Sequence, residues 1–160
     1  IGMSAQVNLG DPAEPEMIQR MAWITTDSHE KSIPVLGMFY PRGGNLILDD
    51  SDSTSGVAHA ARLSWELGCY VVKVPWTGSE ESFRIVTTSV PIPVLVSGGP
   101  KDDDFGEVLK LVEKSINAGG SGVCIGRNVF SSEDPASRIR ALRSIVHEGA
   151  NAEEASRQLR

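Results

Sequence analysis

Cysteine is scarce: only Cys69 and Cys124 occur in 160 residues. Each lies inside an apolar run, so the pair reads as buried free thiols of a reducing compartment, not as a disulfide framework. Long hydrophobic runs are also missing; the longest, such as residues 92–96, have the length of a strand, far below the roughly 20 residues that cross a bilayer. Basic charge is in deficit, with 15 Lys and Arg against 21 Asp and Glu, a net charge of −6 and a pI near 5.0. That balance removes the cationic footprint expected for nucleic acid or anionic lipid, and neither is a partner on this reading. No strand candidate is followed by Gly-x-Gly-x-x-Gly or by a glycine loop ending in Lys-Ser/Thr, so the signatures of nucleotide-binding open sheets are absent. His29, His59 and His147 fall in helical stretches and make no zinc-like spacing with the cysteines. The run Asp49-Asp50-Ser51-Asp52 lacks the glycine and terminal glutamate of a calcium loop and reads as a solvated lead into a helix cap. No metal and no cofactor are assigned.

What is present is ordinary for a folded domain: 40% hydrophobic and 22% charged residues, with no low-complexity tract and a length that admits one core. Short apolar runs at residues 2–7, 34–40, 69–74, 93–96 and 122–125 alternate with amphipathic stretches at 15–31, 54–67, 80–87 and 104–118. Two further helices, at 134–147 and 152–159, close the chain. The strand runs are almost continuously apolar, as parallel strands covered on both faces should be. Glycines 68 and 119 stand where left-handed helix caps are wanted, and Asp134-Pro135 pairs an N-cap with a first-turn proline. This βα alternation suits either an open doubly wound sheet or a barrel. The strand ends favour the barrel, because Asn8, Tyr40 with Arg42, Lys73, Ser97 with Gly98 and Gly99, and Gly126 with Arg127 all stand at C-terminal ends, where a barrel carries its site. The chain opens on Ile1 and runs straight into a strand, so an N-terminally truncated chain is expected.

Lys73 ends the third run, and simple alternation puts it on the face of Cys69 and Val71. An ammonium brought into an apolar interior loses hydration, which favours a neutral amine that attacks carbonyl carbon; the alternative is a lysine that snorkels to water. Ser97-Gly98-Gly99 and Gly126-Arg127-Asn128 follow the last two strands. Glycine lets backbone N–H groups approach an anion and Arg127 can add a bidentate contact, which suits a phosphate; plain βα turns also use glycine. Their occurrence on successive strands favours phosphate. Tyr40 offers a phenol for proton transfer, or an aromatic packed at a barrel mouth.

The segments Phe39-Tyr40-Pro41-Arg42-Gly43, Glu66-Leu67-Gly68 through Val71-Val72-Lys73, Thr77-Gly78, Pro93-Val94 through Ser97-Gly98-Gly99-Pro100-Lys101, and Gly126-Arg127-Asn128 resemble the archaeal-type class I fructose-bisphosphate aldolase and deoxyribose-phosphate aldolase superfamily. Val7-Asn8-Leu9-Gly10, Glu14-Pro15-Glu16-Met17 and Ile145-Val146-His147-Glu148 are most similar to 2-amino-3,7-dideoxy-D-threo-hept-6-ulosonate synthases. The resemblance implies a (β/α)8 barrel of which residues 1–160 carry strands four to eight, the C-terminal part of a single domain. It further implies imine formation by Lys73, proton transfer by Tyr40, and phosphate binding by Ser97, Gly98, Gly99, Gly126 and Arg127. A phosphorylated ketose is then the substrate, in aromatic amino-acid precursor synthesis or in fructose-bisphosphate cleavage. The setting is cytoplasmic, and the full-length protein is a homo-oligomer. Two departures stand out. Pro75-Trp76 replaces a smaller or charged residue followed by tyrosine, and the strand-one aspartate of the family has no counterpart. A piece that is catalytically dead and only binds phosphates or a partner chain is the remaining alternative.

Overall fold

The computed structural model describes residues 2–47, 52–100 and 104–159. Five strands, β1 Met3–Leu9, β2 Val35–Pro41, β3 Val71–Val74, β4 Val94–Ser97 and β5 Gly122–Cys124, form one sheet in the order β1-β2-β3-β4-β5. Every neighbouring pair is parallel. Between them run α1 Glu14–Glu30, α2 Thr54–Glu66, α3 Glu80–Thr88 and α4 Phe105–Asn117; α5 Arg127–Phe130, α6 Pro135–Glu148 and α7 Ala152–Ser156 follow, with a final 3₁₀ turn Arg157–Leu159.

The strand order is unreversed, which sets this sheet apart from the open doubly wound alternative. An open doubly wound sheet reverses direction at a switch point and carries helices on both faces. Here every crossover steps to the next strand in the same direction, and with the right-handed crossovers that parallel strands favour this stacks the helices on a single face. Burial follows: in β2, Val35, Gly37 and Phe39 are buried against the helices, whereas Leu36, Met38 and Tyr40 on the other face are only half-buried. In β3, Val72 and Val74 are buried, and Val71 and Lys73 half-buried. The main core gathers Val7, Phe39, Val57, Val72, Phe83 and Val96 between sheet and helices; a second packs α4 against α6 and α7 through Leu109, Val112, Ala141 and Ile145.

The helix punctuation behaves as its chemistry requires. Gly68 and Gly119 take φ values of +87° and +90° just after the ends of α2 and α4, and Asp134 accepts a hydrogen bond from the Ser137 N–H at 3.1 Å to cap α6. Asp52 accepts from the Thr54 N–H at 2.8 Å ahead of α2, while Asp49, Asp50 and Ser51, like Lys101, lie outside the described residues.

Two expectations need correction. Cys69 does not share the face of Lys73. The chain bends at Tyr70, whose N–H donates to the Val35 carbonyl at 2.9 Å, and β3 begins only at Val71. Alternation therefore cannot be counted back from Lys73, and the Cys69 thiol lies in the helix-side core, 3.8 Å from Met21 Sδ. Burial pushes that thiol's pKa up, against a smaller lowering by Ser64. Cys124, expected to be buried, is half-exposed at the end of β5.

Candidate active site

Parallel strands in sequential order bring all their C-terminal ends to one rim. A cleft of about 660 Å³ opens there, lined by Tyr40 at the end of β2 and Arg42 just after it, Lys73 near the end of β3 and Pro75 just after it, residues 97–100 from the last residue of β4 onward, and residues 124–128 from the last residue of β5 onward. Ser53 and Val57 at the start of α2 complete the wall. Lys73, Tyr40, Ser97, Gly98, Gly99, Gly126 and Arg127, picked out in the sequence, thus all line one cavity. Its described lining carries the basic side chains Arg42, Lys73 and Arg127 and no carboxylate.

Lys73 is flanked in register by Met38 of β2 and Leu95 of β4. Two apolar neighbours thus flank it on the half-buried face, where Lys73 lines the cleft. Tyr40 is half-buried beside Asn8 of β1, and the Arg42 guanidinium carbon lies 4.7 Å from its ring centroid. Such stacking holds the phenol's orientation. Asn8 Oδ1 accepts from Arg42 Nε at 3.0 Å and from Gln6 Nε2 at 2.9 Å, which ties the ends of β1 and β2 together.

On the opposite side, the loops after β4 and β5 are built as a unit. Ser97 is buried at the cleft. Gly98 leaves no room for a side chain, since a Cβ there would stand 2.7 Å from Ile125 Cγ2, and Gly99 adopts φ +64°, which favours glycine. Arg127 Nη2 donates to the Gly99 carbonyl at 3.4 Å. Gly126 differs: a Cβ there meets open space and its φ is −112°, so its backbone makes no demand for glycine.

Asn128 was not singled out for a role from the sequence, yet it joins the two loops. It is 1% exposed, and its Nδ2 donates to the Gly98 carbonyl at 2.7 Å and the Pro100 carbonyl at 3.0 Å. Arg138, stacked on Phe105 at 4.5 Å, donates to the Asn128 backbone carbonyl. The available signal was an asparagine directly after the Gly-Arg pair, at the start of a four-residue helix that periodicity cannot detect. The histidines stay apart: His29, His59 and His147 are exposed on α1, α2 and α6.

A second, mostly apolar depression of about 680 Å³ runs along β5 and α6, lined by Leu95, Val123, Phe130, Ile139, Leu142 and Val146 among others. It offers a packing surface and little chemistry.

Known proteins match this arrangement. At 40% identity over 152 residues, the chain is similar to 2-amino-3,7-dideoxy-D-threo-hept-6-ulosonate synthase 1 of Archaeoglobus fulgidus, covering 95% of this chain and 55% of that protein. At 36% identity over 145 residues it is similar to 2-amino-4,5-dihydroxy-6-oxo-7-(phosphonooxy)heptanoate synthase of Streptomyces griseus, covering 91% and 52%. The chain therefore spans about half the length of the curated relatives it matches. A solved archaeal fructose-1,6-bisphosphate aldolase, whose catalytic lysine is covalently bound to the carbinolamine intermediate of the substrate, superposes with a TM-score of 0.83 at 32% identity, over 91% of this chain and 57% of that one. The family model for DeoC/LacD family aldolases matches residues 3–132. With that match over most of its length, and with the parallel sheet and rim cleft described above, this chain belongs to the DeoC/LacD family of aldolases.

Proposed function

We propose that this chain is the C-terminal part, strands four to eight, of a single (β/α)8-barrel domain, and that the complete protein is a Schiff-base aldolase or transaldolase acting on a phosphorylated ketose. The observation that carries the reading is the place of Lys73, on the middle strand of the sheet, between Tyr40 on one side and the paired glycine loops on the other. The bare apolar depression beside β5 supports the barrel reading, since a closed barrel packs its first strand and helix against its last. On this reading residues 1–160 make no domain of their own. The complete protein is cytoplasmic and a homo-oligomer.

The chemistry follows from the groups present. The lone pair of Lys73 Nζ attacks the ketose carbonyl carbon to give a carbinolamine, and loss of water leaves a protonated imine. Tyr40 relays the proton of the hydroxyl two carbons away, accepting it at its phenol oxygen as it passes its own proton to water, the bond between that hydroxyl's carbon and the carbon next to the iminium breaks, and its electron pair moves into the iminium to form an enamine. An aldehyde leaves. The enamine then takes up a proton or attacks a second aldehyde, and water releases the product from Lys73. The iminium is itself the electron sink, so the sequence of steps needs no further electrophile. Ser97, Gly98, Gly99, Gly126 and Arg127 hold the phosphate through backbone N–H groups and the guanidinium.

The heptulosonate synthase reading, with an amino-acid semialdehyde as acceptor, is supported by the relatives at 36% and 40% identity. Fructose-bisphosphate cleavage is the second reading, supported by the archaeal aldolase at 32%. Product analysis of the complete protein with dihydroxyacetone phosphate plus aspartate semialdehyde, and separately with fructose 1,6-bisphosphate, distinguishes them. In either reaction Tyr40→Phe should lower kcat by roughly 10²- to 10⁴-fold, the usual worth of a proton-transfer group. An unchanged rate removes Tyr40 from the mechanism.

A further inference from the structure

We infer that Arg138, which does not line the cleft, is a positioning residue for phosphate binding. It holds the backbone of Asn128 and, through the Asn128 side chain, the shape of the loop from Gly98 to Pro100. The inference rests on the reading of that loop as part of the phosphate site.

The first observation is a series of contacts that leads from α6 to the cleft. Arg138 Nη1 donates to the Asn128 carbonyl, and Asn128 Nδ2 donates to the Gly98 and Pro100 carbonyls. Asn128, Gly98 and Pro100 line the cleft, whereas Arg138 stands behind them on α6. In a continuing helix the Ser132 N–H would bond to the Asn128 carbonyl. Here α5 ends after one turn, and that N–H goes to the Val129 carbonyl at 3.3 Å instead. The guanidinium supplies the donor that this short helix does not, and its charge strengthens the bond.

The second observation is how firmly Arg138 is itself held. Its guanidinium carbon lies 4.5 Å from the ring centroid of Phe105, a residue 4% exposed that opens α4 just beyond the glycine loop. Arg138 therefore touches the far end of the β4 loop and the partner that clamps its near end. Its own backbone belongs to the capped start of α6, where Asp134 accepts from the Ser137 N–H at 3.1 Å and the Ser137 hydroxyl donates to the Asp134 carbonyl at 3.0 Å. The third observation is that α6 has no need of a cation there. Arg138 is its fourth residue, close to the positive end of the helix dipole, where positive charge is disfavoured. Among the described residues it joins no ion pair. One aromatic face and one carbonyl, both next to the loops that form the site, account for the arginine.

Variants of the complete protein test this by titration calorimetry with inorganic phosphate and by borohydride trapping of dihydroxyacetone phosphate. Arg138→Ala should raise the Kd for phosphate roughly 3- to 30-fold, the range for residues that modulate a site without touching its ligand. The dihydroxyacetone phosphate concentration for half-maximal trapping should rise in step. The maximal trapped yield should stay at the wild-type level, and so should trapping of unphosphorylated dihydroxyacetone, because Lys73 is untouched. Arg138→Met keeps a stem over Phe105 without the donor and should show the same rise, which separates the hydrogen bond from packing and guards against a variant that does not fold. Arg138→Lys should recover part of the loss. Added to Asn128→Ala, Arg138→Ala should weaken phosphate by less than about two-fold further, since both act on one element; additive losses overturn the route through Asn128. Wild-type affinity in Arg138→Met, or equal weakening of phosphorylated and unphosphorylated ligands, overturns the inference and leaves Arg138 as a prop between α4 and α6. Phosphate binding that persists unchanged in every Arg138 variant refutes the inference alone. A wild-type protein that binds neither inorganic phosphate nor dihydroxyacetone phosphate refutes the phosphate reading and the inference with it.

Discussion

Replacing Asn128 by alanine removes at least two hydrogen bonds at once, those to the Gly98 and Pro100 carbonyls at 2.7 and 3.0 Å. A neutral hydrogen bond contributes about 0.5–1.5 kcal/mol net, and a buried group left unpaired costs about 1–3 kcal/mol. Asn128 is 1% exposed, but the two carbonyls belong to a rim loop that water can reach once the side chain is gone. The expected loss of stability is therefore about 2 kcal/mol. Asn128→Asp is the sharper perturbation: it keeps the shape but turns an oxygen toward two carbonyls in place of their donor, and should cost about 3 kcal/mol or more. Urea unfolding of the complete protein measures both, and titration with inorganic phosphate reads the loop's competence in the same samples. The affinity loss should exceed that of a core substitution of equal ΔΔG, such as Phe83→Leu, because the clamp holds the glycine loop itself. Both variants within about 0.5 kcal/mol of wild type, with phosphate binding unchanged, would refute the clamp.

Other predictions follow from the same geometry. Arg127→Ala should weaken phosphorylated ketoses by about 1.5–3 kcal/mol, the scale of a charged hydrogen bond, and leave unphosphorylated ketoses almost untouched in equilibrium binding; equal losses would make Arg127 structural. The Asp134 carboxyl is held below its ordinary pKa by the Ser137 N–H it accepts. A depressed folded pKa means that its contribution is present above the ordinary carboxylate range of about 4 and is lost as pH falls through the folded value. Asp134→Asn keeps the cap without the titration, so the stability difference from wild type should shrink or reverse below about pH 4 in acid unfolding. A pH-independent difference would contradict the assignment.

Much of this architecture was legible in the amino-acid order, for physical reasons. Parallel strands buried under helices read as short apolar runs, and residues as far apart as Tyr40 and Arg127 could be assigned to one site because sequential parallel strands deliver every C-terminal end to the same rim. The failures are equally specific. The bend at Tyr70 resets the alternation, which is why Cys69 enters the helix-side core while Lys73 faces the cleft. The partners of Asn128 are backbone carbonyls 30 and 28 residues earlier, and no side-chain pattern announces a carbonyl. Gly37 is a further case: its lack of a side chain admits Cys69 Sγ, which would stand 2.8 Å from a Cβ, and a glycine in mid-strand shows nothing of that neighbour.

The central claim is that Lys73 forms the imine. Borohydride reduction of the complete protein in the presence of dihydroxyacetone phosphate, followed by peptide mass analysis, tests it most directly. The ligand-derived mass should appear on the peptide carrying Lys73 and vanish in Lys73→Met, while Arg127→Ala retains it at higher ligand concentration. Label on a different lysine, or labelling unchanged in Lys73→Met, would contradict the account.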